Sequence, residues 1–304
     1  MAPLNPSSVA LITASSAGLG AAVARIFATH NVRVVINFNS SADKANKLLE
    51  ELKDLSPSSG GKNEGKGEEE RYIAVQADMS QKEDVKKLVD EAVARMGRLD
   101  VVVSNHGWTR IRNFQNLDEN VEEDDWDRCY NMNVKSHLWL FHAVKPWLEK
   151  TDGGFISTGS VAGVKPSGSS MAYSVTKAAQ IHLIKALAVT STIRVNTVSP
   201  GLMLTVRISL SHSLIPFLLD WGLQFPESKV ESVKKKSPVG RLATVEVRLF
   251  IFLLPRISCV PREKRLSKMC LWRKEVARQI YCLAESESTT GTNVVIDGGI
   301  HLGK

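Results

Sequence analysis

The sequence predicts an α/β fold: a doubly wound, mostly parallel seven-stranded sheet in a single domain spanning residues 1–304. Three observations carry that expectation. Short β-branched runs alternate with segments of helical period, a loop of small residues directly follows the first strand, and no linker-like stretch divides the chain. The alternation runs Val9–Thr13 then Ala21–Thr29, Arg33–Asn37 then Ala42–Leu52, Tyr72–Gln76 then Lys82–Met96, and on to Val101–Ser104. Each pair reads as a strand with its crossover helix. Gly154–Ser157 and Ile193–Thr197, each after a long helical stretch, and Asn293–Ile296 complete the seven strands.

With 43% hydrophobic and 23% charged residues, 304 residues suffice for one large core, which excludes disorder of the whole chain. The four cysteines (Cys129, Cys259, Cys270, Cys282) show no C-x-x-C spacing, so neither a disulfide framework nor a zinc site is expected. With no leader-like segment before the first strand, a reducing, cytoplasmic setting is expected. No apolar run approaches the ~20 residues of a membrane span; Leu249–Leu254 is the densest. The net charge of +7 is concentrated between Val247 and Lys274, where eight basic residues face one acidic residue. The remainder is neutral, and that stretch carries no nucleic-acid-binding motif, so no nucleic-acid partner is expected.

Ser56–Glu70 is aperiodic and rich in Gly, Ser, Lys and Glu, which predicts a solvated polar loop within the domain. The acidic run Glu122–Asp127 invites a metal reading. It lies where a helix begins, however, and acidic residues there complement the helix dipole, so no metal is expected.

Two constellations carry chemistry. Thr13, Ala14, Ser15, Ser16, Ala17, Gly18, Leu19 and Gly20 link the first strand to its helix, where small residues admit a pyrophosphate to the backbone N–H groups of the first helical turn. Further on come Ser160, Tyr173 and Lys177, with Tyr-x-x-x-Lys on one helical face. An ammonium beside a phenol favours the phenolate, making tyrosine a usable proton donor, while the serine hydroxyl holds a substrate carbonyl.

Together these segments resemble the short-chain dehydrogenase/reductase family, whose fold is of the Rossmann type. TASSAGLG resembles its cofactor loop, SNHG (Ser104–Gly107) its N-N-A-G segment, and NVKSH from Asn133 the helix of its catalytic asparagine. STGSVAG, YSVTK, VSPGLMLT (Val198–Thr205) and VVIDGGI resemble its serine strand, Tyr-x-x-x-Lys helix, P-G segment and last strand. The resemblance implies that Tyr173 protonates the alcohol oxygen, Lys177 binds the nicotinamide ribose and lowers the Tyr173 pKa, Ser160 polarises the carbonyl, and Asn133 holds a water. It places Thr13, Ser15, Ser16, Gly18, Leu19 and Gly20 at the pyrophosphate, and Asp78 and Met79 at the adenine. Asn105, Gly107, Pro200, Gly201 and Thr205 would line the rest, Thr205 on the carboxamide side. Phe38, Asn39 and Ser40 end the second strand without a carboxylate, which favours NADP, with NAD possible. The expected partner is a small carbonyl or alcohol substrate, in a pocket lined by Trp108–Phe114, Val161–Ser170 and the segment after Gly201. A homodimer or homotetramer is expected through Trp126–His142 and Tyr173–Leu187. A non-catalytic, cofactor-binding regulator is the competing reading, disfavoured by the intact Ser160, Tyr173 and Lys177.

Three departures stand out: Ala14 where the family has glycine, so that the turn must avoid positive φ or accept strain; His106 where it has a small alanine near the cofactor; and a short connection before Ile193, which could shift the following strand. Two pattern-breaking inserts, at about 206–220 and 247–274, interrupt the resemblance, which resumes at Glu275. Valine codons begin with GT and one lysine codon ends in AG, so Val247–Lys274 reads as a translated in-frame intron, which would make the chain a defective product. A lid insertion at the substrate side is the other reading.

Overall fold

A computed structural model of the chain describes residues 4–56, 70–201, 203–204, 243–244 and 271–302. Seven strands form one sheet: β1 (Val9–Ile12), β2 (Arg33–Phe38), β3 (Tyr72–Gln76), β4 (Val101–Ser104), β5 (Gly154–Thr158), β6 (Arg194–Pro200) and β9 (Asn293–Ile296). Two short strands, β7 (Met203–Leu204) and β8 (Ala243–Thr244), pair separately, and the sequence pattern gave no sign of them. The sheet order is β3-β2-β1-β4-β5-β6-β9, and every pairing in it is parallel.

The helices are α1 (Gly18–Thr29), α2 (Ala42–Leu55), α3 (Lys82–Met96), α4 (Glu123–Tyr130), α5 (Ser136–Thr151), α6 (Met171–Val189) and α7 (Leu271–Glu285). Alternate residues of β1 supply opposite faces. Ala10 and Ile12 join the core built with α1, α2 and α7, while Val9 and Leu11 join the core built with α3, α5 and α6. A strand buried on both faces is uniformly apolar, which is why these runs stand out in the sequence.

The short connection after α6 delivers β6 into parallel pairing with β5. Gly154 pairs with Arg194 and Thr158 with Val198. Arg194 adds an anchor by donating to the carbonyls of Leu283 (2.9 Å) and Ala284 (3.2 Å), orphan acceptors in the last turn of α7. Helix α7 packs on α1 through Tyr281, edge-on to Phe27 at 5.1 Å and stacked on His30 at 4.1 Å. It starts at Leu271, four residues before Glu275, where the family pattern resumes. The rest of 247–274, the whole of 206–220, Thr205 and residues 57–69 lie outside the described residues. Among the described residues no helix is long and apolar enough to cross a membrane.

From β3 the chain returns to place β4 beside β1, so the strand order reverses at the β1–β4 edge. In open parallel sheets the crevice beyond such a switch point receives ligands. The loops after β1 and β4 both end there.

Candidate active site

The loop after β1 is braced from behind. Ser15 is buried: its hydroxyl donates to the Ile12 carbonyl (2.7 Å) and accepts from the Asn37 N–H (3.0 Å), so this side chain supports the loop and faces inward. Asn37 accepts from the Ala14 N–H at 3.0 Å, and Asn105 Nδ2 donates to the carbonyls of Thr13 and Ala14, each at 3.3 Å. A Cβ on Gly20 would stand 2.7 Å from both the Ala14 carbonyl oxygen and the Ser15 Cα, so only glycine lets α1 come this close. The first turn of α1 has no side-chain cap and no acidic residue, leaving its N–H groups to an anion.

Ala14 takes φ +47°, the left-handed region where an L side chain is strained by ~1–2 kcal/mol. Ala14→Gly relieves this but loosens the unfolded chain. We expect a net gain of about 0.5–1 kcal/mol, read as a higher urea midpoint at unchanged slope. A lower midpoint would show that the methyl makes contacts worth more than the strain.

Ser160 ends the strand-to-turn passage after β5 and accepts from the Ala162 N–H at 3.2 Å. Its hydroxyl also hydrogen-bonds Tyr173. The turn holding Ser160 lies directly on α6: a Cβ on Gly163 would stand 2.6 Å from the Lys177 carbonyl carbon. Ser170 caps α6 by accepting from the Tyr173 N–H at 3.2 Å, which fixes the start of the Tyr-x-x-x-Lys face. Tyr173 packs with Cys129, Ala162 and Ala172 beside Trp108 and Trp126. Two of the segments expected to line the pocket, Trp108–Phe114 and Val161–Ser170, meet here, the Arg112 N–H donating to the Ser169 carbonyl at 2.7 Å; most of the segment after Gly201 lies outside the described residues.

Burial pushes the Tyr173 phenol up to about 12, against the pull of the Ser160 hydrogen bond. Burial likewise pushes Lys177 down to about 7. The ammonium sits 5.7 Å from the Tyr173 ring centroid and donates to the Thr158 carbonyl (3.0 Å) and Gln180 Oε1 (2.8 Å). Desolvation is the largest influence on both groups.

Asn133 lies in a π-helical turn, Asn131–Lys135, between α4 and α5. Its amide accepts from the Trp108 N–H (2.8 Å) and donates to the Trp108 carbonyl (2.9 Å) and Thr176 Oγ1 (3.1 Å). The side chain thus locks the loop after β4 onto α6. Gly107 completes the junction: a Cβ there would stand 3.3 Å from Asn133 Oδ1 and 3.4 Å from Lys177 Nζ.

His106 turns into the core. Thr13 Oγ1 accepts from the Asn105 N–H (2.8 Å) and the His106 N–H (3.3 Å), and it lies 2.8 Å from His106 Nδ1 and 3.4 Å from the Val103 carbonyl. Ser136 Oγ donates to the Met132 carbonyl at 2.5 Å, so it accepts from His106 Nε2 at 2.8 Å, which leaves Nδ1 of the neutral ring to accept from Thr13. Burial, then the Lys177 charge, hold its pKa down to about 3. Its ring stacks on His137 at 4.1 Å. Neither His137 nor Gln180 was visible as a site residue in the sequence. Gln180 lies three residues after Lys177 on the same helical face, which is a signal; nothing in the sequence pairs the histidines.

At the second strand's end Phe38 is half-buried and packs against the core, while Asn39 and Ser40 are exposed and available to a ligand. Asp78 Oδ1 accepts from the Ser80 N–H at 2.9 Å, and Met79 is buried. Pro200 closes β6, and the Gly201 N–H donates to the Ile296 carbonyl at 2.8 Å. The acidic run starts α4 as expected, with Asp125 ion-paired to Arg110 (3.0 Å) and Arg112 (2.8 Å). The uncapped α1 terminus, the close approach at Gly20 and the carboxylate-free end of β2 together suit a dinucleotide.

The family model for short chain dehydrogenases matches residues 8–211. The oxidoreductase UcpA of Salmonella typhimurium is 31% identical over 301 residues, covering 96% of this chain and 94% of that protein. A short chain dehydrogenase from Burkholderia cenocepacia, solved in complex with NADP, superposes with a TM-score of 0.70 at 23% identity, covering 97% of this chain and 98% of that one. A 7α-hydroxysteroid dehydrogenase complexed with NADH and 7-oxo glycochenodeoxycholic acid superposes with a TM-score of 0.71 at 22% identity, covering 96% and 93%.

Proposed function

Because the chain belongs to the short-chain dehydrogenase/reductase family, we propose that it is an NADP-preferring carbonyl reductase in which Tyr173 supplies the proton. The nicotinamide cofactor, when bound, supplies the hydride. The observation that carries the reading is the hydrogen-bonded pair Ser160 and Tyr173 beside Lys177, which adjoins Gly107 of the loop after β4 that Asn105 ties to the cofactor loop. With its pKa pushed up to about 12 by burial, the Tyr173 phenol holds its proton at neutral pH, the form in which it can donate to a carbonyl oxygen. Ser160 would hold the substrate oxygen against that proton. Gly18, Leu19 and Gly20 would hold the pyrophosphate; Asp78 and Met79 would lie near the adenine. Asn39 and Ser40 offer hydroxyl and amide groups where a carboxylate would repel a 2′-phosphate.

The test is fluorescence titration with NADPH and NADH, followed by a ketone screen. We expect tighter NADPH binding, turnover of at least one ketone, and a shift toward NADH in Asn39→Asp. Wild-type preference for NADH would remove the argument from the end of β2; binding without turnover of any ketone would favour the non-catalytic regulator. Assembly is proposed through α5 and α6, which expose Leu138 and Val175, and a monomer by sedimentation would exclude it. A cytoplasmic setting is proposed as well, and fractionation of cells checks it. The intron reading of Val247–Lys274 is settled by sequencing the transcript: a spliced message lacking those codons supports it, one retaining them refutes it.

A further inference from the structure

A buried ammonium needs acceptors for its protons, and a polar core needs each of its members satisfied. Gln180 is fully buried on α6 and answers both requirements. Its Oε1 accepts from Lys177 Nζ at 2.8 Å. Its amide nitrogen donates to Ser157 Oγ at 2.6 Å and faces His137 Nε2 at 3.1 Å and the Thr158 carbonyl at 3.2 Å. His137 is seated in turn by Ser104 Oγ at 2.6 Å from its Nδ1, and by the His106 ring stacked on it. His106 reaches Thr13 of the loop after β1. A continuous uncharged polar chain therefore runs from that loop through two histidines and one amide to the Lys177 ammonium.

We propose that Gln180 is a positioning residue, clamped by Ser157 and His137, that holds the Lys177 ammonium in place and sustains its charge inside the core. The proposal rests on the oxidoreductase reading only for its kinetic consequence; the placement of Lys177 is a property of the folded chain. Two of the three ammonium protons go to Thr158 and Gln180, leaving the third for a hydroxyl presented at the site. A leucine or methionine at position 180 would leave one acceptor in place of two. The ionisable groups facing Lys177 are Cys129 from α4, His106 after β4, His137 from α5, and Tyr173 on its own helix. His137 is held well below its ordinary value by burial, then by His106 and Lys177, so both imidazoles stay neutral near neutral pH and add no repulsion there.

The experiment uses the full chain labelled with [ε-13C]lysine, without cofactor, and follows the Lys177 resonance with pH, assigned by its loss in Lys177→Arg. Gln180→Met removes the acceptor at similar volume; Gln180→Glu keeps an oxygen toward Lys177 and adds negative charge. We expect the Lys177 midpoint to fall by about one pH unit in Gln180→Met and to rise by about as much in Gln180→Glu. Opposite shifts are what a merely packing role would not give. Should Gln180→Met not fold, an unraised midpoint in Gln180→Glu alone overturns the proposal. Equal midpoints in all three proteins also overturn it. In ketone reduction with NADPH, the alkaline limb of kcat should move in the same order while the ketone KM stays put. Shifted midpoints without turnover in any protein would sink the reductase reading and leave the positioning role standing. Lowered kcat with an unmoved Lys177 midpoint would do the reverse.

Discussion

Tyr173→Phe should lower kcat for ketone reduction by roughly 10²–10⁴-fold, the range attributed to a positioned proton donor, while leaving NADPH affinity within about twofold. The substitution removes one oxygen and keeps the ring that packs with Cys129, Ala162 and Ala172. The fold should therefore survive. What is lost is the buried hydroxyl and its hydrogen bond with Ser160, a net effect of about 1 kcal/mol on stability. Ser160 keeps its contact with the Ala162 N–H and remains able to hold a carbonyl oxygen. Single-turnover measurements with saturating NADPH separate chemistry from binding. Near-normal turnover would remove Tyr173 from the reaction; a large rise in cofactor Kd would mean that the phenol is chiefly a binding group.

The sheet was legible because its strands are buried on both faces, so Val101–Val103 or Val34–Ile36 admit few other readings. The end of α1 was read correctly from Thr29, but its start was set three residues late at Ala21, because Gly18 and Gly20 look like loop residues until the phosphate-facing first turn is seen. Ser160, Tyr173 and Lys177 were legible as a spacing. Their electrostatics were not. Sequence puts a cation near a phenol, whereas the burial that pushes Tyr173 up and Lys177 down is visible only in three dimensions. The strain at Ala14 was anticipated as one of two outcomes, and the backbone settles it at positive φ. His106 looked like an intrusion on the cofactor, yet its ring points away into a polar core whose members come from β1, β4, β5, α5 and α6. No local pattern assembles residues that distant in sequence.

Lys177→Met should lower kcat/KM for ketone reduction by roughly 10²–10³-fold, the loss seen when one charged or hydrogen-bonding group leaves a preorganised site. Methionine follows most of the lysine stem, so packing changes little. Two effects on stability oppose each other. Gln180 Oε1 loses its buried donor, which costs about 1–3 kcal/mol, while the Thr158 carbonyl keeps the Gln180 amide at 3.2 Å and the expense of burying an ammonium disappears. A modest change in Tm is therefore expected beside a large kinetic one. The pH profile decides the mechanism. Burial pushes Lys177 down to about 7, so in the wild-type protein the ammonium loses its proton as pH rises through that value, and reduction should slow about tenfold per unit above it. Tyr173, up at about 12, keeps its proton over the same range and contributes no limb there. Lys177→Met has no group left to titrate at that position, so its residual rate should be flat between about pH 6 and 9. A variant that keeps the wild-type limb would assign the titration to another group and remove the Lys177 charge from the reaction.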